Sequence, residues 1–317
     1  MSIFVSLAAF CEPLLEFTLD GLYGKANNPA EIFVGLVDQT FDDNRAWLAK
    51  KSYWPNIRYI EINPIDTRGV SWARSIAFSL YQGETYLLQI DSHTHFDRNW
   101  DQRLIASLEH LKTAAQKPIL TTYPPPFEFN INNEPFPTLK PAGTVYGLKK
   151  HPETELTATC ATLRFQVEHL RGAEYVEGYH IGAGFLFTLG QFVEEVPYDP
   201  YLYFHGEEQS LALRAYTRGW TILHPLHDLI PIYHLYKQKD NEHRTHHWHP
   251  EYEKQRQIKW TTLKARADAR ILDLVSGKLQ GAYGLGTVRS LAEFVKISGI
   301  DYGKYRSTPA PEATTAN

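Results

Sequence analysis

The sequence predicts an α/β protein: one Rossmann-like domain with a mostly parallel central sheet and helices on both faces, followed by a helical C-terminal appendage. Two observations predict it. Short β-rich runs alternate with amphipathic helical runs through the first half of the chain, the rhythm of consecutive β-α-β units. After residue 237 the pattern turns polar, His-rich and then helical, with no true linker or internal repeat.

Taken in order, Ile3 to Ala8 reads as a strand, and Glu12 to Tyr23 as a helix with Pro13 in its first turn, where a missing N–H costs nothing. Ile32 to Val37 and Ile57 to Ile62 are the second and third strands. Val70 to Tyr81 is a helix carrying Trp72, Ile76, Phe78 and Leu80. Tyr86 to Ile90 is a fourth strand, and Trp100 to Ala115 a helix with Leu104, Leu108 and Leu111 on one face, ended by Pro118. Pro124 to Pro141 is Pro-rich and irregular, yet Phe127, Phe129, Ile131 and Phe136 keep it apolar. Thr157 to Phe165 and Gly182 to Phe187 are strand-like. A helix from Glu207 to Thr217 closed by Gly219 follows, then strands near Trp220 to Leu223 and Leu229 to Tyr236, and one long charged helix over Glu251 to Val275.

The composition narrows the function. With 317 residues, 43% hydrophobic, 21% charged and 13% aromatic, the chain is globular. A net charge of −4 gives no basic field to recruit nucleic acid, so a phosphate-bearing ligand must be met by local Arg, backbone amides or a metal. Cys11 and Cys160 are too few for a disulfide framework or a thiolate zinc site. No leader pattern and no run of about 20 apolar residues stands in the sequence, so a cytoplasmic protein without a membrane span is expected.

The chemistry gathers where the fourth strand stops, at Leu87-Leu88-Gln89-Ile90-Asp91-Ser92-His93. In an extended chain Asp91 and His93 point the same way, and a carboxylate and an imidazole on one side of the backbone can share a divalent ion. An isolated Asp-Ser-His also fits a solvated turn. His234 interrupts the apolar run Leu229 to Tyr236; it is either a core histidine satisfied by the backbone or a distant third ligand. Glu207 and Glu208 after Gly206 are either first-turn residues favoured by the helix dipole or carboxylates aimed at a substrate. Arg74 sits on an otherwise apolar helix and pairs either with a carboxylate or with phosphate oxygens. The polar cluster His243, His246, His247 and His249 lacks helical ligand spacing and reads as a flap rather than a metal site. Gly281 to Gly286 lacks the strand-then-helix context of a phosphate loop.

The ordered set Gly69-Val70-Ser71-Trp72-Ala73-Arg74, Asp91-Ser92-His93, Gly182-Ala183-Gly184-Phe185, Tyr198-Asp199-Pro200, Gly206-Glu207-Glu208 and Tyr233-His234 resembles the metal-dependent GT-A glycosyltransferases. It looks most like the Skp1-type polypeptide α-N-acetylglucosaminyltransferases, which modify hydroxyproline, with mucin-type polypeptide GalNAc-transferases as more distant relatives. The resemblance covers roughly Ile3 to Lys237. It stops before the C-terminal helices, so the expected organisation is a catalytic domain over 1–237 followed by two parts read from the residues alone: a flap and helical extension over 238–307, and a small, polar, Pro-containing tail over 308–317 expected to be disordered.

It also implies a UDP-sugar donor, most naturally UDP-GlcNAc, a Mn²⁺ or Mg²⁺ ion on Asp91, His93 and His234, and transfer to a hydroxyl acceptor with retention. Asp91-Ser92-His93 stands where such enzymes carry a DXD-like motif. By the same carry-over Ser6, Ala8 and Glu12 hold uridine and ribose, Arg74 reaches the diphosphate or ribose, and Gln89, Ser92 and Gly184 complete the donor site. Glu207 and Glu208 are the catalytic carboxylates facing sugar and acceptor. Where the family has Asp after the first strand, this chain has Glu12. A metal-dependent phosphoester hydrolase, or an aromatic-rich saccharide-binding module without chemistry, are the competing readings.

Overall fold

The computed structural model describes residues 1–138, 141–171, 174–236 and 246–305. Its strands are β1 (Ile3–Phe10), β2 (Ile32–Gln39), β3 (Ile57–Ile62), β4 (Tyr86–Asp91), β5 (Thr94–Phe96), β6 (Pro118–Thr121), β7 (Phe127–Phe129), β8 (Pro135–Pro137), β9 (Thr144–Lys150), β10 (Phe165–Arg171), β11 (Tyr175–Glu177), β12 (Phe185–Leu189), β13 (Thr221–Pro225) and β14 (Ile232–His234). The helices are α1 (Leu15–Gly24), α2 (Asn44–Leu48), α3 (Val70–Phe78), α4 (Trp100–Leu111), α5 (Phe192–Glu195), α6 (Glu207–Thr217), α7 (Pro250–Gln255), α8 (Trp260–Ser276) and α9 (Leu291–Ser298).

Eight strands form one sheet in the order β11-β13-β6-β12-β4-β1-β2-β3. The pairs β3–β2, β2–β1, β1–β4 and β6–β13 are parallel, while β12 runs antiparallel between β4 and β6, and β11 antiparallel to β13. The predicted mostly parallel α/β architecture is therefore present. Alternation along β1 sends Ile3, Val5, Leu7 and Ala9 to a core shared with Leu15, Leu19 and Leu22 of α1 and Trp100, Leu104 and Leu108 of α4. Phe4 faces the other way, into a core with Phe78, Phe192, Leu211 and Ala215 from α3, α5 and α6. Both faces are covered, as a parallel sheet requires.

Several predicted elements change. Of the span Thr157 to Phe165 only Phe165 is in a strand, as the first residue of β10: Thr157 and Thr159 lie in a turn closed by Thr157 N–H to Cys160 O, and Leu163 N–H donates to the Gln209 side chain rather than to a ladder. The long helix over Glu251 to Val275 breaks into α7 and α8. Arg256 turns extended so that its guanidinium reaches Pro64 O, and the Glu253 carboxylate accepts the Trp260 N–H that opens α8. The Pro-rich stretch holds a small β7–β8 hairpin, and α1 starts at Leu15, leaving Glu12 ahead of the helix.

The C-terminal helices are not a separate body. Ile271, Leu274 and Phe294 share a core with Ala161, Leu163, Leu213 and Tyr216, so α8 and α9 pack on the back of α6. Of the His-rich segment, 237–245 lies outside the described residues, as does the tail from 306. No helix among the described residues is long and apolar enough to cross a membrane.

Candidate active site

Register decides what meets at the carboxyl ends of the strands. Ala8 pairs with Asp91 across β1 and β4, so Asp91 ends at the rim of the sheet. The chain turns through Ser92 and His93 into β5, and β14 lies antiparallel to β5 with His234 opposite Thr94. A backbone bond from His234 N–H to Pro125 O (2.9 Å) fixes that end of β14. The His234 imidazole consequently arrives beside His93, with Nε2 to Nε2 at 2.9 Å, and His234 Nε2 is 3.0 Å from Asp91 Oδ2. One ligand atom from each of Asp91, His93 and His234 lies within 4.8 Å of the others.

The donor set fits a divalent ion. His93 Nδ1 is 2.8 Å from Glu12 Oε2, and because an ionised carboxylate only accepts, Nδ1 carries the proton and Nε2 keeps its lone pair facing Asp91 and His234. Gly184 leaves the approach open, since a Cβ there would stand 2.9 Å from Asp91 Oδ2.

Beside this trio lies a buried charge chain. Arg74, 4% exposed, donates from Nη2 to Asp91 Oδ1 (2.6 Å) and from Nη1 to Glu207 Oε1 (2.8 Å). Burial would raise the Asp91 carboxyl, but the His234 hydrogen bond and the Arg74 charge hold it well below the usual carboxylate range. Burial likewise opposes the Arg74 charge, and the surrounding groups Glu207, Tyr198, Asp91 and Glu208 together outweigh it, so the guanidinium stays protonated. Burial pushes the Glu207 carboxyl up against the pull of Arg74; Glu207 lines the cleft, and its Oε2 is buried with no hydrogen-bond partner. An orphaned carboxylate oxygen in a concave site points to a ligand.

Glu207 and Glu208 open α6 after Gly206, whose φ of 95° suits glycine and whose missing Cβ avoids Ile271 at 2.9 Å. As successive residues of a helix they leave it in different directions, which sends the two carboxylates to different partners. Glu208 Oε1 accepts from Ala183 N–H (2.7 Å), and Oε2 from the Tyr123 hydroxyl (2.9 Å). Together these groups line a cleft of about 360 Å³ that also includes Gly184, His180, Phe204 and Tyr236. A second hollow of about 450 Å³ lies along the ends of β1 and β2, lined by Cys11, Glu12, Phe41, Asn44, Trp47 and Tyr252.

The structure brings Arg74, Asp91, His93, Gly184, Glu207, Glu208 and His234 together, and places the other predicted residues differently. Ser6 and Gln89 are register partners on β1 and β4 and fully buried; Gln89 donates to Ala183 O and Tyr198 Oη, so it positions the Gly182–Gly184 turn and reaches no cleft surface. Ala8 packs against Val37, Ala73 and Ala77. Ser92 is 4% exposed with Oγ on Glu12, and Glu12 sits against His93, between the cleft and the second hollow. His247 is buried on Phe10 and Tyr203, while Gly281, Ala282 and Gly284 give their carbonyls to Arg218. Tyr123, His180 and Tyr236 went unnoticed in sequence, each a lone residue in a loop or at a strand end. The one available signal was Tyr236, two positions past His234 and therefore on its side of an extended chain.

A family model described as Glycosyltransferase (GlcNAc) matches residues 2–56 and 44–304, which takes in the C-terminal helices. Among solved structures, the chain is similar to GalNAc-T7 crystallised with UDP, GalNAc and Mn²⁺: the TM-score is 0.61 and the identity 16%, over 96% of this chain and 56% of that one. The S. aureus TarS fragment 1–349 in complex with UDP-GlcNAc matches at a TM-score of 0.46 and 13% identity, over 84% of this chain and 70% of that one. The chain spans little more than half the length of the GalNAc-T7 chain, and the likeness at that identity is one of fold. A search of curated protein sequences finds no match.

Proposed function

Because this chain belongs to the Glycosyltransferase (GlcNAc) family and carries the GT-A fold, we propose that it transfers GlcNAc, or a related hexose, from a UDP-sugar to a hydroxyl acceptor in a metal-dependent reaction that retains anomeric configuration. The observation that supports this most is the convergence of Asp91, His93 and His234 at the sheet rim, next to a cleft floored by Arg74, Glu207 and Glu208.

Asp91, His93 and His234 would hold Mn²⁺ or Mg²⁺. When bound, the ion supplies Lewis-acid neutralisation of the diphosphate as the nucleotide leaves. The protein's own groups do the rest. The hollow at the ends of β1 and β2 takes the nucleoside, next to Glu12. Gly184 lets the sugar-diphosphate approach Asp91 closely. Arg74 holds Asp91 and Glu207 in fixed orientation, and the free oxygen of Glu207 accepts a hydroxyl of the bound sugar or acceptor. Retention follows from front-face transfer, in which the departing phosphate takes the acceptor proton and the carboxylates orient groups rather than remove it.

Protein hydroxyproline, the acceptor of the Skp1-type enzymes, is the first acceptor to assay. The thiols Cys11 and Cys160 are unpaired, which supports a cytoplasmic setting. The test is hydrolysis and transfer of UDP-GlcNAc, UDP-GalNAc, UDP-Glc and UDP-Gal with Mn²⁺ and again with chelator. Turnover of at least one donor, lost on chelation and regained with Mn²⁺, is expected; absence of metal-dependent turnover of any of them overturns the proposal.

Glu12→Gln probes how the metal site is held. The amide cannot accept with the strength of a carboxylate, so His93 loses its fixed tautomer and ring orientation. Mn²⁺ affinity, followed by electron paramagnetic resonance, is expected to weaken by roughly 10- to 100-fold, the usual cost of losing such an outer partner. Unchanged affinity would show that Glu12 serves the nucleoside alone.

A further inference from the structure

His180 is a buried polar side chain in the cleft that the mechanism above leaves without a task. It is 1% exposed, lines the cleft, and neither ring nitrogen has a hydrogen-bond partner. Buried imidazole nitrogens are rarely left so. One face of the ring is covered by Phe165, stacked at 3.4 Å between centroids and 7° between planes, which locks the ring orientation and leaves its edges as the reactive surface. Nε2 stands 3.5 Å from Glu208 Oε2, an electrostatic contact at the outer limit of hydrogen-bond distance that lacks the alignment of a full hydrogen bond. That oxygen already accepts the Tyr123 hydroxyl, while Oε1 is engaged by Ala183 N–H, next to Gly184.

We propose that His180, Glu208 and Tyr123 form a subsite that reads neighbouring hydroxyls of the transferred sugar; the assignment rests on the UDP-sugar reading above. The site runs in order from the metal ligands through Gly184 and Ala183 to Glu208 and then His180, so a sugar attached to a diphosphate at Asp91 presents the ring positions far from its anomeric carbon to this wall. Two polar atoms held near each other but not bonded suit two adjacent hydroxyls, one donating to Glu208 Oε2 and the other bonding His180. Burial lowers the His180 pKa, with Glu208 opposing, so the neutral ring offers one N–H and one lone pair, and a hydroxyl satisfies either. Removing the ligand hydroxyl, or the imidazole, leaves the other member buried and unpaired, which is how a polar subsite discriminates.

The experiment is a cycle between protein and donor: kcat/KM of the wild type and of His180→Phe with UDP-GlcNAc and with its 3-deoxy and 4-deoxy analogues, alongside calorimetric UDP affinity in Mn²⁺. The wild type is expected to lose roughly 10- to 100-fold on at least one deoxy donor, and His180→Phe to lose a similar factor on UDP-GlcNAc while no longer distinguishing that analogue from the parent. UDP affinity stays at the wild-type level in the variant. An equal deoxy penalty in both proteins overturns the proposal, as does a His180→Phe effect confined to the acceptor KM. If UDP affinity falls in both His180→Phe and His180→Gln, His180 is a structural residue and the proposal is likewise overturned. A wild type that turns over no UDP-sugar fails at the functional reading itself, and that outcome is separate from the others.

Discussion

His234→Ala is expected to reduce metal-dependent turnover of UDP-sugars by at least about a thousandfold, the factor that roughly 4 kcal/mol of lost transition-state stabilisation represents. The variant keeps Asp91 and His93 but loses the member of the proposed ligand set that, among the described residues, comes from outside the β4–β5 turn, so the three groups that would enclose an ion are reduced to two. Mn²⁺ binding measured directly should fall in parallel, while the unfolding midpoint in the absence of metal stays close to that of the wild type, because the side chain lies at the cleft surface with 11% exposure. Asp91→Ala should do the same to turnover. A His234→Ala protein with full activity would remove His234 from the ligand set and, with it, the reason β14 is held against β5.

The second large effect concerns stability. Arg74→Met would leave Asp91 Oδ1 and Glu207 Oε1 without their cation in a site where Arg74 itself is 4% exposed. Breaking a buried ion pair from one side costs about 3–5 kcal/mol, because the remaining charge is buried and unpaired. Urea unfolding should show that loss, and the double variant Arg74→Met/Glu207→Leu should regain part of it, since one of the two stranded carboxylates is then gone. A single variant as stable as the wild type would mean that water, not Arg74, compensates these carboxylates.

Much of the fold was readable from local pattern. Short, near-continuous β-rich runs marked β1 to β4, and helical patterning marked α3, α4 and α6, within a few residues, because β1, β2 and β4 are largely buried and the helices bury a face against the sheet. Where the pattern misled, side chains from elsewhere decided. Gln209 replaced a ladder at Leu163, and Arg256 and Glu253 broke a helix that propensity alone would have continued. The antiparallel insertion of β12 between β4 and β6 had no local signal either, since strand direction depends on where the chain has come from.

For the site the division is similar. The sequence by itself determined that a carboxylate and an imidazole stand at the end of a buried strand, that an acidic pair opens α6, and that His234 sits as one polar residue in an apolar run. Those are properties of spacing along one backbone. Only the tertiary structure decided that His234 meets His93, that Arg74 lies between Asp91 and Glu207, that Glu12 serves His93, and that Gln89 and Ser6 are enclosed. Each depends on strand register and on which face a side chain leaves, and a shift of one residue in either β1–β4 or β5–β14 would turn these groups away from each other.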